Sequence, residues 1–146
     1  VRVCRDSDIL PTCRKFEEMQ FWQKAGVVTN RIYWLSNPGE FSRDFSHREQ
    51  MKRASVSTMA NIAEGHGKST EDEFANFLNI ARGPSVELQS HLYVLLDLNQ
   101  INEPQFREMY ELLGDISKMN ISLSKYLRNK NSVNTGNLVN SKNSIN

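Results

Sequence analysis

The chain is poor in cysteine and proline, nearly neutral, and has no long apolar run. Each shortage excludes something. Cys4 and Cys13 are the only cysteines in 146 residues. Their spacing matches no zinc or thioredoxin-like pattern, and two thiols alone cannot complete a four-ligand structural site, so they read as free thiols. No segment approaches the roughly 18 consecutive apolar residues that a membrane helix needs. Arg2, Arg5, Asp6 and Asp8 also break up any apolar core of a secretory signal. The expected compartment is the cytoplasm, with no membrane partner. Val1 in place of Met leaves a fragment, a processed form and an upstream-extended frame open. With 18 basic and 17 acidic residues the formal net charge is +1. That is not the footprint of a dedicated nucleic-acid binder, so only a local patch could hold RNA or DNA.

What the chain does have is helical periodicity. Hydrophobic residues make up 38% and charged residues 24%, enough for one domain with a core. Phe16, Met19, Trp22, Ile32 and Leu35 recur at helical spacing, which predicts a first helix over about 13–35 with a weak cap at Thr12. Asn37-Pro38-Gly39 should stop it. A second helix over about 41–65 is predicted to end at Gly65 and Gly67, since glycine readily takes the left-handed conformation past a helix end. Its centre is crowded with small residues, among them Ala54, Ser55, Thr58 and Ala63, which let helix backbones approach closely. Ser69, Thr70 and the acidic run Glu71-Asp72-Glu73 mark the next start. A third helix over about 70–98 carries Phe74, Phe77, Leu78, Ala81, Leu88, Leu92, Leu95 and Leu96, with a kink expected at Gly83-Pro84. A fourth, about 103–129, opens near Pro104 and carries Phe106, Met109, Leu113, Ile116, Leu123 and Leu127.

From Asn131 the composition changes. Asparagine recurs at every third position to Asn146, a period that fits neither helix nor strand. The fold class expected is all-α: an antiparallel up-down-up-down four-helix bundle over 13–130. A flexible extension over 1–12 and a disordered tail over 131–146 flank it.

Three segments then carry a resemblance: FEEMQFWQKA (16–25), RASVSTMANIAEGHGKS (53–69) and EFANFLNIARGPSVEL (73–88). Together they resemble the four-helix-bundle family of 23S rRNA-intervening sequence proteins, over about Phe16 to Leu127. The matching positions are Arg53, Asn61, Glu64, Gly65, Phe77, Leu78, Gly83, Glu87 and Leu88. The chain departs from the family pattern at Met59, His66 and Pro84. The resemblance implies a small bundle that assembles as a ring of five copies. It also implies a link to ribosomal RNA genes or, through a related accessory protein of diversity-generating retroelements, to a reverse transcriptase and nucleic acid.

No reaction chemistry assembles from the residues. Asn61, Glu64 and Glu87 are expected to form a polar network between helices, with Arg53 or Arg82 as partner to a buried carboxylate. A metal site is the competing reading. Di-metal bundles use Glu-x-x-His at i, i+3, whereas Glu87 and His91 stand at i, i+4. The segment Gly65-His66-Gly67-Lys68-Ser69 lacks the first glycine and preceding strand of a phosphate loop. No catalytic residue, metal, cofactor or small-molecule substrate is expected.

Two surfaces remain. Arg43, Arg48, Lys52 and Arg53, with Lys68 further on, form a basic set that could hold a phosphate backbone, by charge and shape rather than by base. A second basic set, Lys118, Lys125, Arg128 and Lys130, falls late in the fourth helix. Phe21, Trp34 and Ala60 are the candidate oligomer contacts, because the first helix has more aromatics than one stripe can hide. The leading expectation is a non-enzymatic homo-oligomer that binds RNA or a ribonucleoprotein. The alternative is a protein-interaction scaffold that never touches nucleic acid.

Overall fold

The computed structural model describes residues 14–36 and 43–142. Four α-helices make up the fold: α1 (Gln20–Leu35), α2 (Phe45–His66), α3 (Glu71–Asp97) and α4 (Glu103–Lys142). No β-strand occurs among the described residues. Residues 1–13 with both cysteines, the Asn37-Pro38-Gly39 stop and the last four residues lie outside the described segments.

Helix α1 starts later than the periodicity predicts. Phe16–Glu18 form a 3-10 turn and Met19 is extended, with no side chain capping the helix that follows. Its buried stripe is Phe21, Ala25, Val28 and Ile32, one position before the predicted register through Trp22. The later register would bring Gly26 and Thr29 inward, whereas Ala25 and Val28 continue an unbroken apolar line. Trp22 instead lies at the edge of the core, its ring 5.1 Å from that of Phe16.

Helix α2 is capped by Asp44, whose carboxylate accepts from the His47 amide at 3.1 Å. Its buried face is Met51, Ala54, Ser55, Thr58, Ile62 and Gly65. The two hydroxyls are not stranded: Ser55 donates to the Lys52 carbonyl at 2.8 Å and Thr58 to that of Ala54 at 3.0 Å. The expected left-handed glycine cap is absent, since Gly67 has φ of −80°. Gly65 serves a different end. A Cβ there would lie 2.6 Å from Phe77 Cβ, so its missing side chain lets α2 and α3 approach.

Helix α3 has the clearest core pattern: Phe74, Leu78, Ala81, Ser85, Leu88, Leu92 and Leu95 alternate steps of four and three. Thr70 caps it, accepting from the Glu73 amide at 3.2 Å and donating to the Glu73 carboxylate at 2.8 Å. The helix runs without a break through Pro84. Proline removes the hydrogen bond to the carbonyl four residues back, and that residue, Ile80, is exposed, where water can replace the lost donor. Asn99, with φ of 53°, ends α3. Its amide bonds Leu96 at 3.0 Å and the Gln100 amide bonds Leu95 at 2.8 Å, the paired closure of a Schellman motif.

Helix α4 opens on a reciprocal cap. Asn102 Oδ1 accepts from the Gln105 amide and Gln105 Oε1 from the Asn102 amide, both at 2.9 Å. Pro104 is therefore the second helical residue, not the first. The helix continues to Lys142, well past the end predicted near 129. Lys130 pairs with Glu71 at 2.8 Å and Asn131 donates to Asp72 at 2.8 Å, which ties the start of the asparagine-rich stretch to the beginning of α3. Residues 131–136 are exposed but helical, not the disordered tail expected from residue 131.

Contacts between neighbouring helices pair rising numbers with falling ones. Gly26 and Thr29 meet Met59, and Tyr33 meets Lys52. Gly65 meets Phe74 and Phe77, and His47 meets His91. Asn76 meets Arg128, and Tyr93 meets Phe106. Lys24 pairs with Asp115 and Arg31 with Glu108, closing α1 onto α4. The core runs down the centre, with Ile32, Met51, Ile62, Leu78, Leu95 and Ile116 fully buried. Asn120 is also buried there, and among the described residues neither of its amide atoms finds a hydrogen-bond partner.

Candidate nucleic-acid interface

The first turns of α2 place four cations, Arg43, Arg48, Lys52 and Arg53, against two carboxylates, Asp44 and Glu49. Asp44 is engaged by its cap. Glu49 is shared: Arg48 Nε lies 3.4 Å and Lys52 Nζ 3.5 Å from the same oxygen. Both cations also rest on rings. Arg48 sits 5.1 Å from the centre of Phe45, and Lys52 sits 4.9 Å from the centre of Tyr33 on α1. Phe45 is nonetheless 66% exposed. A contiguous row therefore runs Phe45, Arg48, Glu49, Lys52, Tyr33. The charges and Phe45 stand side by side in the sequence, whereas Tyr33 is brought to them from another helix.

Arg48 and Lys52 keep only 20% and 22% of their side-chain surface open, so the stems are held by packing. Arg43 and Arg53 are exposed and stand as the freely reachable cations of the set. Lys68 does not belong to it. It lies beyond the far end of α2, about 24–30 Å from Lys52 and Arg48 at 1.5 Å per residue, pairing with Glu64 at 3.4 Å and resting 4.9 Å from the Phe77 ring. The second basic set is divided. Arg128 donates to Asn76 at 3.0 Å and Lys130 is paired with Glu71, while Lys118 and Lys125 face solvent.

The expected polar network between helices is not there. Asn61 turns back onto its own helix, donating to the Ser57 carbonyl at 2.8 Å and hydroxyl at 3.1 Å. Glu64 and Glu87 are exposed, so neither carboxylate needs a buried partner, and Arg53 and Arg82 are exposed too. Of the remaining motif residues, Leu78 and Leu88 are core, Phe77 flanks it and Gly65 sets the close approach. Gly83 faces outward, with nothing within 4 Å of where a Cβ would stand.

The candidate oligomer contacts separate likewise. Phe21 is 4% exposed and belongs to the core of its own chain, so it offers no surface. Trp34 is 70% exposed beside a cleft of about 280 Å³ between α1 and α4. Ala60 is exposed on α2 near Val56.

One cluster was not foreseen. His47 Nε2 and His91 Nδ1 face each other across α2 and α3 at 2.9 Å, and His91 Nε2 lies 3.4 Å from Glu87 Oε1. Burial, and then the neighbouring His91, lower the pKa of His47, against a smaller opposing effect of Asp44. The signal lay in antiparallel register: about five turns back from Gly65 and about five forward from Phe74 bring the two histidines level. Among the described residues no group of three His, Cys, Asp or Glu side chains is arranged to hold a metal, and no helix is long and apolar enough to cross a membrane.

Comparison with known proteins agrees with this architecture. A solved structure from Bacteroides thetaiotaomicron, described as a protein of unknown function from the S23 ribosomal protein family, is similar at 27% identity and a TM-score of 0.63. The match covers 72% of this chain and 98% of that one. No curated protein matches. The family model described as 23S rRNA-intervening sequence protein matches residues 17–122, from the 3-10 turn before α1 into α4. Matched by that model over nearly three quarters of its length, the chain belongs to the 23S rRNA-intervening sequence protein family.

Proposed function

We propose that this protein is a non-enzymatic, homo-oligomeric helical bundle that binds RNA, or a ribonucleoprotein, through the first turns of α2. The observation that carries the reading is the row in which Arg48 and Lys52 lie on the rings of Phe45 and Tyr33. Cations held beside exposed rings suit a phosphate backbone whose bases can stack. Arg43 and Arg53 extend the positive surface on either side. The family's name and the ribosomal family of the structural relative point the same way. Repetition of the row around an oligomer multiplies the field that one near-neutral chain produces.

A second reading, a protein-interaction scaffold, is favoured by a different observation. The outward face of α3 carries Ile80, Val86 and Val94 around Gly83, and α2 exposes Val56 beside Ala60. Such faces suit a second protein surface, either another copy or a partner.

Molar mass by light scattering, with and without nuclease and with absorbance followed at two wavelengths, separates the two. An oligomer carrying nuclease-sensitive nucleic acid supports the first reading, and a nucleic-acid-free oligomer supports the scaffold. A monomer without nucleic acid removes both. The double variant Arg48→Glu with Lys52→Glu should weaken binding of a single-stranded RNA and flatten its log–log salt slope by about 1.4, at roughly 0.7 per lost phosphate contact. Unchanged affinity would take these residues out of the site.

A further inference from the structure

We propose that His47 and His91 form a binding site for a divalent transition-metal ion, of the zinc or nickel type, which clips the start of α2 to α3. The sequence argues against a metal because it lacks the i, i+3 pairing of di-metal bundles. The tertiary structure supplies a different arrangement, with one ligand from each of two helices. His47 Nε2 and His91 Nδ1 are 2.9 Å apart. Two imidazole nitrogens at about 2.0–2.1 Å from one ion, at a right angle, stand about 2.9 Å apart, and at a tetrahedral angle about 3.3 Å. The facing nitrogens therefore stand at the separation of a right-angle chelate, which suits nickel, and need open by only about 0.4 Å for tetrahedral zinc.

The other nitrogen of His91 supports this assignment. Its Nε2 lies 3.4 Å from Glu87 Oε1. With the carboxylate accepting, His91 carries its proton on Nε2 and presents a lone pair at Nδ1, toward His47. A carboxylate behind a ligating imidazole fixes its tautomer and strengthens it as a donor. In the metal-free pair, one proton bridges the facing nitrogens. On binding, that proton moves to the other ring nitrogen of His47, the ion takes its place, and no net proton is lost. The rings also need room to turn so that both lone pairs converge, and they lie tilted by 46° rather than stacked flat.

Water can complete the coordination sphere beside the two imidazoles. No third side chain of a ligating type joins the pair among the described residues, and the His91 side chain keeps 18% of its surface open. Such a site is selective by chemistry. Imidazole suits zinc, nickel and copper, whereas magnesium and calcium require oxygen ligands.

The test uses the whole chain carrying Cys4→Ser and Cys13→Ser, so that thiols cannot supply ligands. Zinc or nickel chloride is titrated by calorimetry and in thermal melts, with magnesium chloride as control. Expected are saturable micromolar binding of one zinc or nickel ion per chain, a higher Tm with that ion, and no effect of magnesium. His47→Gln and His91→Gln, each checked for helicity, should each weaken binding at least tenfold. Glu87→Gln, which leaves both ligands in place, should weaken it about tenfold or more. A two-bond or longer-range ¹H–¹⁵N spectrum should show His91 Nδ1 shifting on binding while Nε2 stays protonated. Binding that is absent below millimolar ion, or that survives in both histidine variants, overturns the site. So does a response to magnesium equal to that of zinc.

Discussion

Replacing Gly65 with alanine tests what holds α2 against α3. The new Cβ would stand 2.6 Å from Phe77 Cβ and 2.9 Å from Phe74 Cδ2. Carbon atoms in ordinary contact sit at about 3.5–4.0 Å, so the gap must open by roughly 1 Å. Phe77 Cβ is fixed to its backbone and cannot rotate away, and Phe74 is buried, so the helices themselves must shift. Overpacking of this kind costs about 1–3 kcal/mol, against which alanine recovers about 1 kcal/mol of helix propensity over glycine. A contact rooted in backbone belongs in the upper part of that range. The expected net loss is about 1–2 kcal/mol, or a Tm lower by about 3–8 °C for a domain of this size. Gly83→Ala is the control. It is helical and exposed, with no neighbour within 4 Å outside its adjoining residues, so the propensity gain of about 1 kcal/mol is opposed only by contact of the new Cβ with the Pro84 ring, and the net loss should be smaller than at Gly65. Both are read in thermal and urea melts at one protein concentration, since assembly makes Tm concentration-dependent. A Gly65→Ala protein as stable as its parent would refute the close-approach argument.

Asn102→Ala should cost about 1 kcal/mol in a urea melt, because the reciprocal cap with Gln105 is lost while the rest of α4 is untouched. Ending the chain after Ser132 keeps the Lys130–Glu71 and Asn131–Asp72 ties and should change stability by no more than about 0.5 kcal/mol. A larger drop would show that the end of α4 packs on something. With chelator present, stability should fall on acidification. The lowered pKa of His47 means that the unfolded chain takes up its proton first, starting near the ordinary value of 6.5. The contribution is present above that value, is lost as pH falls toward the lower folded pKa, and levels off below it. A His47→Gln variant should show a flatter profile between pH 7 and 5, and an unchanged slope would contradict the assignment.

Much of the fold was legible in the chain itself, for physical reasons. Alternating steps of four and three from Phe74 to Leu95, and again from Met109 to Leu127, specify helices that bury one stripe. The cap at Thr70 is local chemistry, set by a side chain within three residues of the amide it binds, whereas the Asp44 cap falls inside the helix predicted from about residue 41. The basic residues at the start of α2 were visible as well. The asparagine period suggested a disordered tail from residue 131, whereas the backbone is helical to Lys142, because helical hydrogen bonds form within the segment and need no apolar face. What local pattern left open was decided by neighbours distant in sequence. Phe21 rather than Trp22 faces inward because the α1 register is chosen by the whole line through Ala25, Val28 and Ile32. Glu64 is exposed because small residues fill the buried face of α2, and Glu87 because the buried stripe of α3 passes through Ser85 and Leu88 on either side of it. The rings beside Arg48 and Lys52, the role of Gly65 and the His47–His91 pair all depend on helix-to-helix alignment. A helix's own period determines which face it buries, but only packing determines which side chain of its neighbour stands opposite.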